Sequence, residues 1–216
     1  MNLQRSKHAL AGVLGLALAL GAARAHAADK DKIHFELVPV PKFADCLAKF
    51  PGDPSRPPRA EVTVTRGKLN DILRMQLRDI RPGLKFDLFT VEKSAFKADG
   101  SPDPDAPNRG LAWYQSDVEV GRSGTGTVEI RTILLDQIFG FDPIVALKPT
   151  NTFHVGFWFN DPNDVESCDA TKPTTPFNGD HNAGPLAMIS LPDAQTGLGP
   201  LCVNPDLSTF PPTCNP

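Results

Sequence analysis

The sequence predicts an all-β fold: a single antiparallel β-sandwich of about eight strands with long Pro-rich loops and at most one short helix. Three observations predict it. Short apolar or alternating runs recur along the chain. Gly-, Pro- and Asp-rich stretches separate them. Proline supplies 22 of the 216 residues, about twice the usual share, which suits many short strands with long connections.

The elements follow in order. Residues 33–40 alternate Ile33, Phe35 and Leu37 against His34, Glu36 and Val38, and the run stops at Pro39 and Pro41; this is the first strand. Residues 51–58 are a loop, and the β-branched stretch 61–65 is the second strand. The stretch 69–80 fits two patterns. Leu69, Leu73, Leu77 and Ile80 make a helical stripe, whereas Leu73, Met75 and Leu77 against Arg74, Gln76 and Arg78 make a strand. Arg81-Pro82-Gly83 is a tight-turn signal and 84–91 is plainly a strand, so the region reads as two strands of a meander. Residues 97–108 form a surface loop. Residues 113–120 and 127–132 flank a glycine-rich turn at 121–126 and read as a β-hairpin. A short helix is expected over 134–139, with Gly140 after its end. Residues 152–159 place Phe153, Val155, Phe157 and Phe159 on one face, the strongest core-strand signal in the chain. Residues 186–191 give the last strand.

The first 27 residues predict export. Arg5 and Lys7 precede an uncharged run from 9 to 23, and Ala25-His26-Ala27 supplies a small-x-small cleavage pattern. The apolar run is too short and too rich in Ala and Gly for a membrane span, which needs about 20 strongly apolar residues. The expected organisation is a signal peptide over 1–27, a β-sandwich domain over 28–192 and a Pro-rich, disulfide-tethered tail over 193–216. The expected address is secreted or periplasmic. Without the leader, 189 of the 216 residues remain; its three basic residues go with it, so 19 basic and 25 acidic residues leave a net charge of −6. An acidic chain without basic clusters argues against nucleic acid or anionic lipid as a partner.

The four cysteines, Cys46, Cys168, Cys202 and Cys214, all follow the leader. An even count in an exported chain favours two disulfides, with three connectivities open. The short Pro-rich segment between Cys202 and Cys214 can close locally, which leaves Cys46 for Cys168. No Cys-x-x-Cys spacing suggests zinc.

No nucleophile elbow or phosphate-binding loop is present: Gly121-Arg-Ser-Gly124 is one residue short of the former and lacks the Lys and helix of the latter. His154, Asp180 and His181 would form a nitrogen/oxygen transition-metal site if their segments met. Asp99, Ser101, Asp103 and Asp105 carry oxygens at every second position, as a wrapped calcium ion requires, although Pro104 excludes an EF-hand. The acidic stretch 161–166 is a second loop of that kind. Such residues also compose any solvated turn. Trp113, Tyr114 and Trp158 could offer an aromatic surface for a sugar or peptide, although core packing, for Trp158 beneath a second layer, is the favoured reading.

The run Leu77-Arg-Asp-Ile-Arg-Pro-Gly-Leu-Lys-Phe-Asp-Leu-Phe89 resembles an apolar–Pro–Gly–x–x–aromatic–x–apolar signature of exported β-sandwich proteins, including CHRD-type modules. The likeness spans roughly residues 60–160. The segments 132–143 and 177–185 are similar to a group of uncharacterised secreted bacterial proteins. The resemblance implies a sandwich and carries over no catalytic residue. The expectation is an exported, non-catalytic binding or structural module, with no obligatory cofactor, that meets an extracytoplasmic protein or surface ligand. The alternatives are a metal-binding protein or metalloenzyme built on His154, Asp180 and His181, and a Ca-stabilised adhesion-type domain.

Overall fold

A computed structural model describes residues 31–104, 109–136, 144, 154–177 and 182–215. The strands are β1 (Lys32–Pro39), β2 (Arg59–Thr65), β3 (Asp71–Arg78), β4 (Lys85–Val91), β5 (Ala112–Glu119), β6 (Gly126–Thr132), β7 (His154–Phe159), β8 (Thr175–Pro176), β9 (Asn182–Ala183), β10 (Leu186–Ser190), β11 (Pro205–Asp206) and β12 (Thr213–Cys214). Among the described residues, α1 (Ala44–Leu47) is the one α-helix, preceded by a 3₁₀ turn at Pro41–Phe43. The fold is all-β, and each of the eight expected strands is present.

Eight strands join into one antiparallel sheet in the order β5-β4-β7-β10-β1-β2-β3-β6. Its two edges belong to consecutive strands, so the sheet rolls nearly closed. The expected partners differ from those observed. β3 and β4 are not a ladder pair, and neither are β5 and β6; β3 pairs with β6 and β4 with β5. The cause lies where the two connections meet. Ile80 N–H donates to the Gly124 carbonyl, Gly83 N–H to Val120 O, and Val120 N–H to Leu84 O. Each turn satisfies the other's backbone groups, and the four strands exchange partners beyond them. Gly124 sits at φ +80°, and a Cβ there would lie 2.8 Å from Ile80 O, so this contact requires glycine.

Burial divides the strands into two kinds. β2 and β3 alternate: Val62, Val64, Leu73, Met75 and Leu77 point into the main core, while Arg74, Gln76 and Arg78 point outward. β7 and β10 are buried along their whole length, and β4 is buried from Phe86 onward. Their inner faces supply Phe86, Leu88, Val155, Phe157 and Phe159 to the main core. Their outer faces hold Phe89, Val91, Trp158 and Ile189 beneath a second layer that contributes Phe96, Phe177 and Ala183. Trp158 is therefore covered.

The helix expected over 134–139 does not start where the sequence pattern places it. Asp136 adopts φ 58°, outside the right-handed helical region, and the backbone N–H groups of Leu134 and Leu135 both donate to buried Asp71 Oδ2. That carboxylate captures the amides that a first helical turn leaves open. Residues 137–140 lie outside the described residues.

The disulfides are Cys46–Cys168 and Cys202–Cys214. The first ties α1 to the segment after β7. The second closes the β11–β12 ribbon, which the buried Asp136 carboxylate holds against the body: Oδ1 accepts from Val203 N and Asn204 N, and Oδ2 from Arg66 Nη2. Leu201 enters the main core, so packing continues past the Pro192 boundary. Disulfides of this kind are typical of oxidising, extracytoplasmic compartments. Among the described residues, no helix is long and apolar enough to cross a membrane.

Candidate functional site

An open cleft of about 950 Å³ lies over the outer face of β4, β5 and β7. Strand register builds its floor. Asp87 of β4 faces Asp117 of β5 on one side and Trp158 of β7 on the other. Phe89, two residues along β4, shares their face. A bulge in β5, where Leu88 pairs with Ser116 but Phe89 with Tyr114, brings Tyr114 and Asp117 to the same side. The Tyr114 hydroxyl donates to Asp117 Oδ1 over 2.8 Å. Asn160 Nδ2, at the half-buried edge of the cleft, donates to Asp87 Oδ1 over 3.0 Å.

Phe89 is the hub of the aromatic wall. Its ring centroid lies 5.6 Å from Tyr114, 5.3 Å from Trp158 and 4.9 Å from Phe177. The first two contacts are edge-to-face, the arrangement that ring quadrupoles favour. Exposure separates their roles. Trp158 is 6% exposed and Asp87 1%, whereas Tyr114 is 55% exposed and Asp117 is open to solvent. Residues 173–177 form the far wall, and Arg109 and Gly110 form the rim. Arg109 is partly buried, and its pKa is lowered by desolvation and held up in part by the negative charge of Asp103.

The expected aromatic surface is thus divided. Tyr114 and Trp158 both line the cleft, but Trp113, on the opposite face of β5, packs against the main core. Asp87, Phe89, Asn160 and Phe177 complete the site and were missed in the sequence. For Asp87 and Phe89 the available signal was their alternation with Phe86 and Leu88.

The expected metal residues fall elsewhere. Asp180 and His181 lie outside the described residues. His154 is not on a solvated strand face as its alternation suggested: it is 2% exposed, because the second layer covers β7. Its Nδ1 lies 3.2 Å from Ser190 O and 3.1 Å from Ser190 Oγ. His34 does face outward, with Nδ1 3.1 Å from Thr63 Oγ1.

Asp99 and Ser101 form a local turn in which Asp99 Oδ1 accepts from Ser101 N and Oγ; these hydrogen bonds hold the Asp99 carboxyl below the usual range. Asp103 is close by, its N–H bonded to Ala95 O, while Asp105 lies outside the described residues. In the second acidic loop, Asp161 caps the 3₁₀ turn Pro162–Val165. Asp164 pairs with Arg81; burial raises its pKa, and Arg81 opposes the rise. Asp136, Cys202 and Cys214 also lie close enough to share an ion, but both sulfurs are consumed by the disulfide, and the carboxylate anchors the tail.

His154 gives a stability prediction. Burial pushes its pKa from 6.5 down to about 4, against a smaller opposing pull from the Ser190 carbonyl. The folded chain thus refuses a proton that the unfolded chain accepts. Stability contributed by the neutral ring is fully present above pH 6.5 and is lost as pH falls toward 4, by about 3 kcal/mol at most. Urea unfolding at pH 7 and pH 4.5 measures this loss, and His154→Gln should flatten the pH dependence even though the variant is less stable. An equally steep decline in the variant would assign it to carboxylates instead.

No protein-family model, curated protein or solved structure matches this chain.

Proposed function

We propose that the protein is an exported, non-catalytic binding module whose ligand enters the cleft over β4, β5 and β7. One observation carries the reading: a buried carboxylate and an aromatic wall meet in an open concavity on an otherwise packed sheet face. Ligand sites combine apolar walls with a few placed polar groups in this way. Asp87 and Asn160 are held by the sheet, while Tyr114 and Asp117 meet solvent, so the ligand finds a preformed surface. Export is part of the same proposal, supported by the leader-like residues 1–27 and the two disulfides. The likeness of 77–89 to CHRD-type modules agrees with it.

The test is a ligand screen by protein-detected NMR, run on the disulfide-bonded chain and on Tyr114→Ala. The reading predicts hits that perturb Trp158 and weaken at least fivefold in the variant. Hits unaffected by the variant would place binding elsewhere. Product formation that disappears with Asp87→Asn would overturn the non-catalytic assignment.

A further inference from the structure

We infer that the tip of the β11–β12 ribbon docks into an apolar groove at the far end of a second copy of this chain, joining copies head to tail; this does not rest on the ligand reading of the cleft. The tip presents Phe210, 100% exposed, and Leu207, 68% exposed, with exposed Pro211 beside them. Single apolar side chains scattered over a surface are ordinary, but these three fall together between 207 and 211, on an element built to hold its shape. Asp206 Oδ1 accepts from Ser208 N and Oγ, and Thr209 Oγ1 donates to Asp206 O. The Cys202–Cys214 bond closes the base of the ribbon, and Asp136 pins Val203 and Asn204. A tip already ordered loses little conformational freedom on docking, so more of its apolar burial becomes affinity.

The groove, of about 610 Å³, is walled by Val40, Pro41, Phe43, Ala95, Phe96 and Leu186, and is of a size that takes a ring-sized group. Topology sets it apart from the ribbon. β1 begins opposite Thr65, and the next residue, Arg66, is bonded to Asp136, which marks the ribbon's end of the sheet. β1 spans 8 residues, roughly 25 Å at the usual strand rise, and Val40, just past its other end, belongs to the groove. Phe210 is accordingly in solvent and not in its own groove. A second copy brings tip and groove together, and each added copy leaves one of each unfilled. Lys42 and Arg109 at the groove are balanced by Asp169 and Asp103, so the tail, which carries Asp193 and Asp206 and no basic residue, meets no net like charge. That lack of basic residues disfavours a bilayer as the partner, since one Phe and one Leu alone bury little apolar area there.

The experiment is sedimentation velocity on the disulfide-bonded chain from micromolar to millimolar concentration. One tip in one groove is a small interface, so association should be weak and should grow with concentration. Phe210→Ser removes the exposed ring, and Pro41→Asp puts a charge at an exposed groove position. Each should weaken association by about thirtyfold, the scale of an interface anchor. Pro102→Asp, also exposed and lining the groove, is the second groove variant. An equimolar mixture of the tip variant with either groove variant retains one intact tip–groove pair and should stop at dimers. A chain that stays monomeric at millimolar concentration overturns the proposal and leaves the cleft reading untouched. Association that survives Phe210→Ser overturns it as well, as does a mixture that stays monomeric although circular dichroism shows the variants folded. Phe210-dependent binding of a monomeric chain to phosphatidylcholine vesicles would overturn it in favour of a membrane contact.

Discussion

Replacing Cys46 and Cys168 together by Ala lowers unfolding free energy by about 5 kcal/mol, the largest effect expected of any change considered. The bond joins residues 122 apart in sequence, so its loss releases a long loop in the unfolded chain; the chain-entropy relation then gives about 5 kcal/mol. The same relation gives about 3 kcal/mol for Cys202–Cys214, whose separation is only 12. Urea denaturation of the two double variants compares them directly. The structure adds a reason for the order. Cys46 is buried beside Leu47, and its bond fixes α1 to the segment following β7, two elements with no shared strand ladder. The ribbon closed by Cys202 is held independently by Asp136. A larger loss from the short loop would show that native contacts, not loop entropy, dominate.

Phe157→Ala is expected to cost about 4 kcal/mol, the usual scale for deleting a buried aromatic side chain. Phe157 is fully buried, and its ring centroid lies 4.7 Å from that of Phe86. β7 is covered on both faces, so neighbouring side chains have little room to collapse into the space. Phe177→Ala, on the half-buried wall of the cleft, should cost about 1 kcal/mol, because solvent can occupy the vacated position. Equilibrium urea curves for both variants test the contrast. A loss below about 1 kcal/mol for Phe157 would mean that the core between β4 and β7 is looser than the packing implies.

Period-two alternation made the strands legible, since it reports which side chains share a face and needs no knowledge of partners. Leu73, Met75 and Leu77 are buried, as the strand pattern at 69–80 required. Partner choice was not legible. It depends on the Ile80–Gly124 and Gly83–Val120 hydrogen bonds, formed between turns distant in sequence. Burial of His154 was missed for a related reason: a polar residue in an alternating strand reads as solvent-facing until a second layer covers that face. Asp87 was overlooked on the same grounds. Tyr114 and Trp158 stood out as aromatics, but the bulge that aligns Tyr114 with Asp117 leaves no distinctive residue pattern. The disulfide pairing was legible because the Cys202–Cys214 loop is short.

The most direct test of the cleft assignment is chemical-shift mapping of the hits from the ligand screen on the isotopically labelled, disulfide-bonded chain. The structure predicts shifts concentrated at Asp87, Phe89, Tyr114, Asp117, Trp158 and Asn160. Shifts confined instead to the polar outer face of β1, β2 and β3, around His34, Thr63 and Arg74, would contradict it.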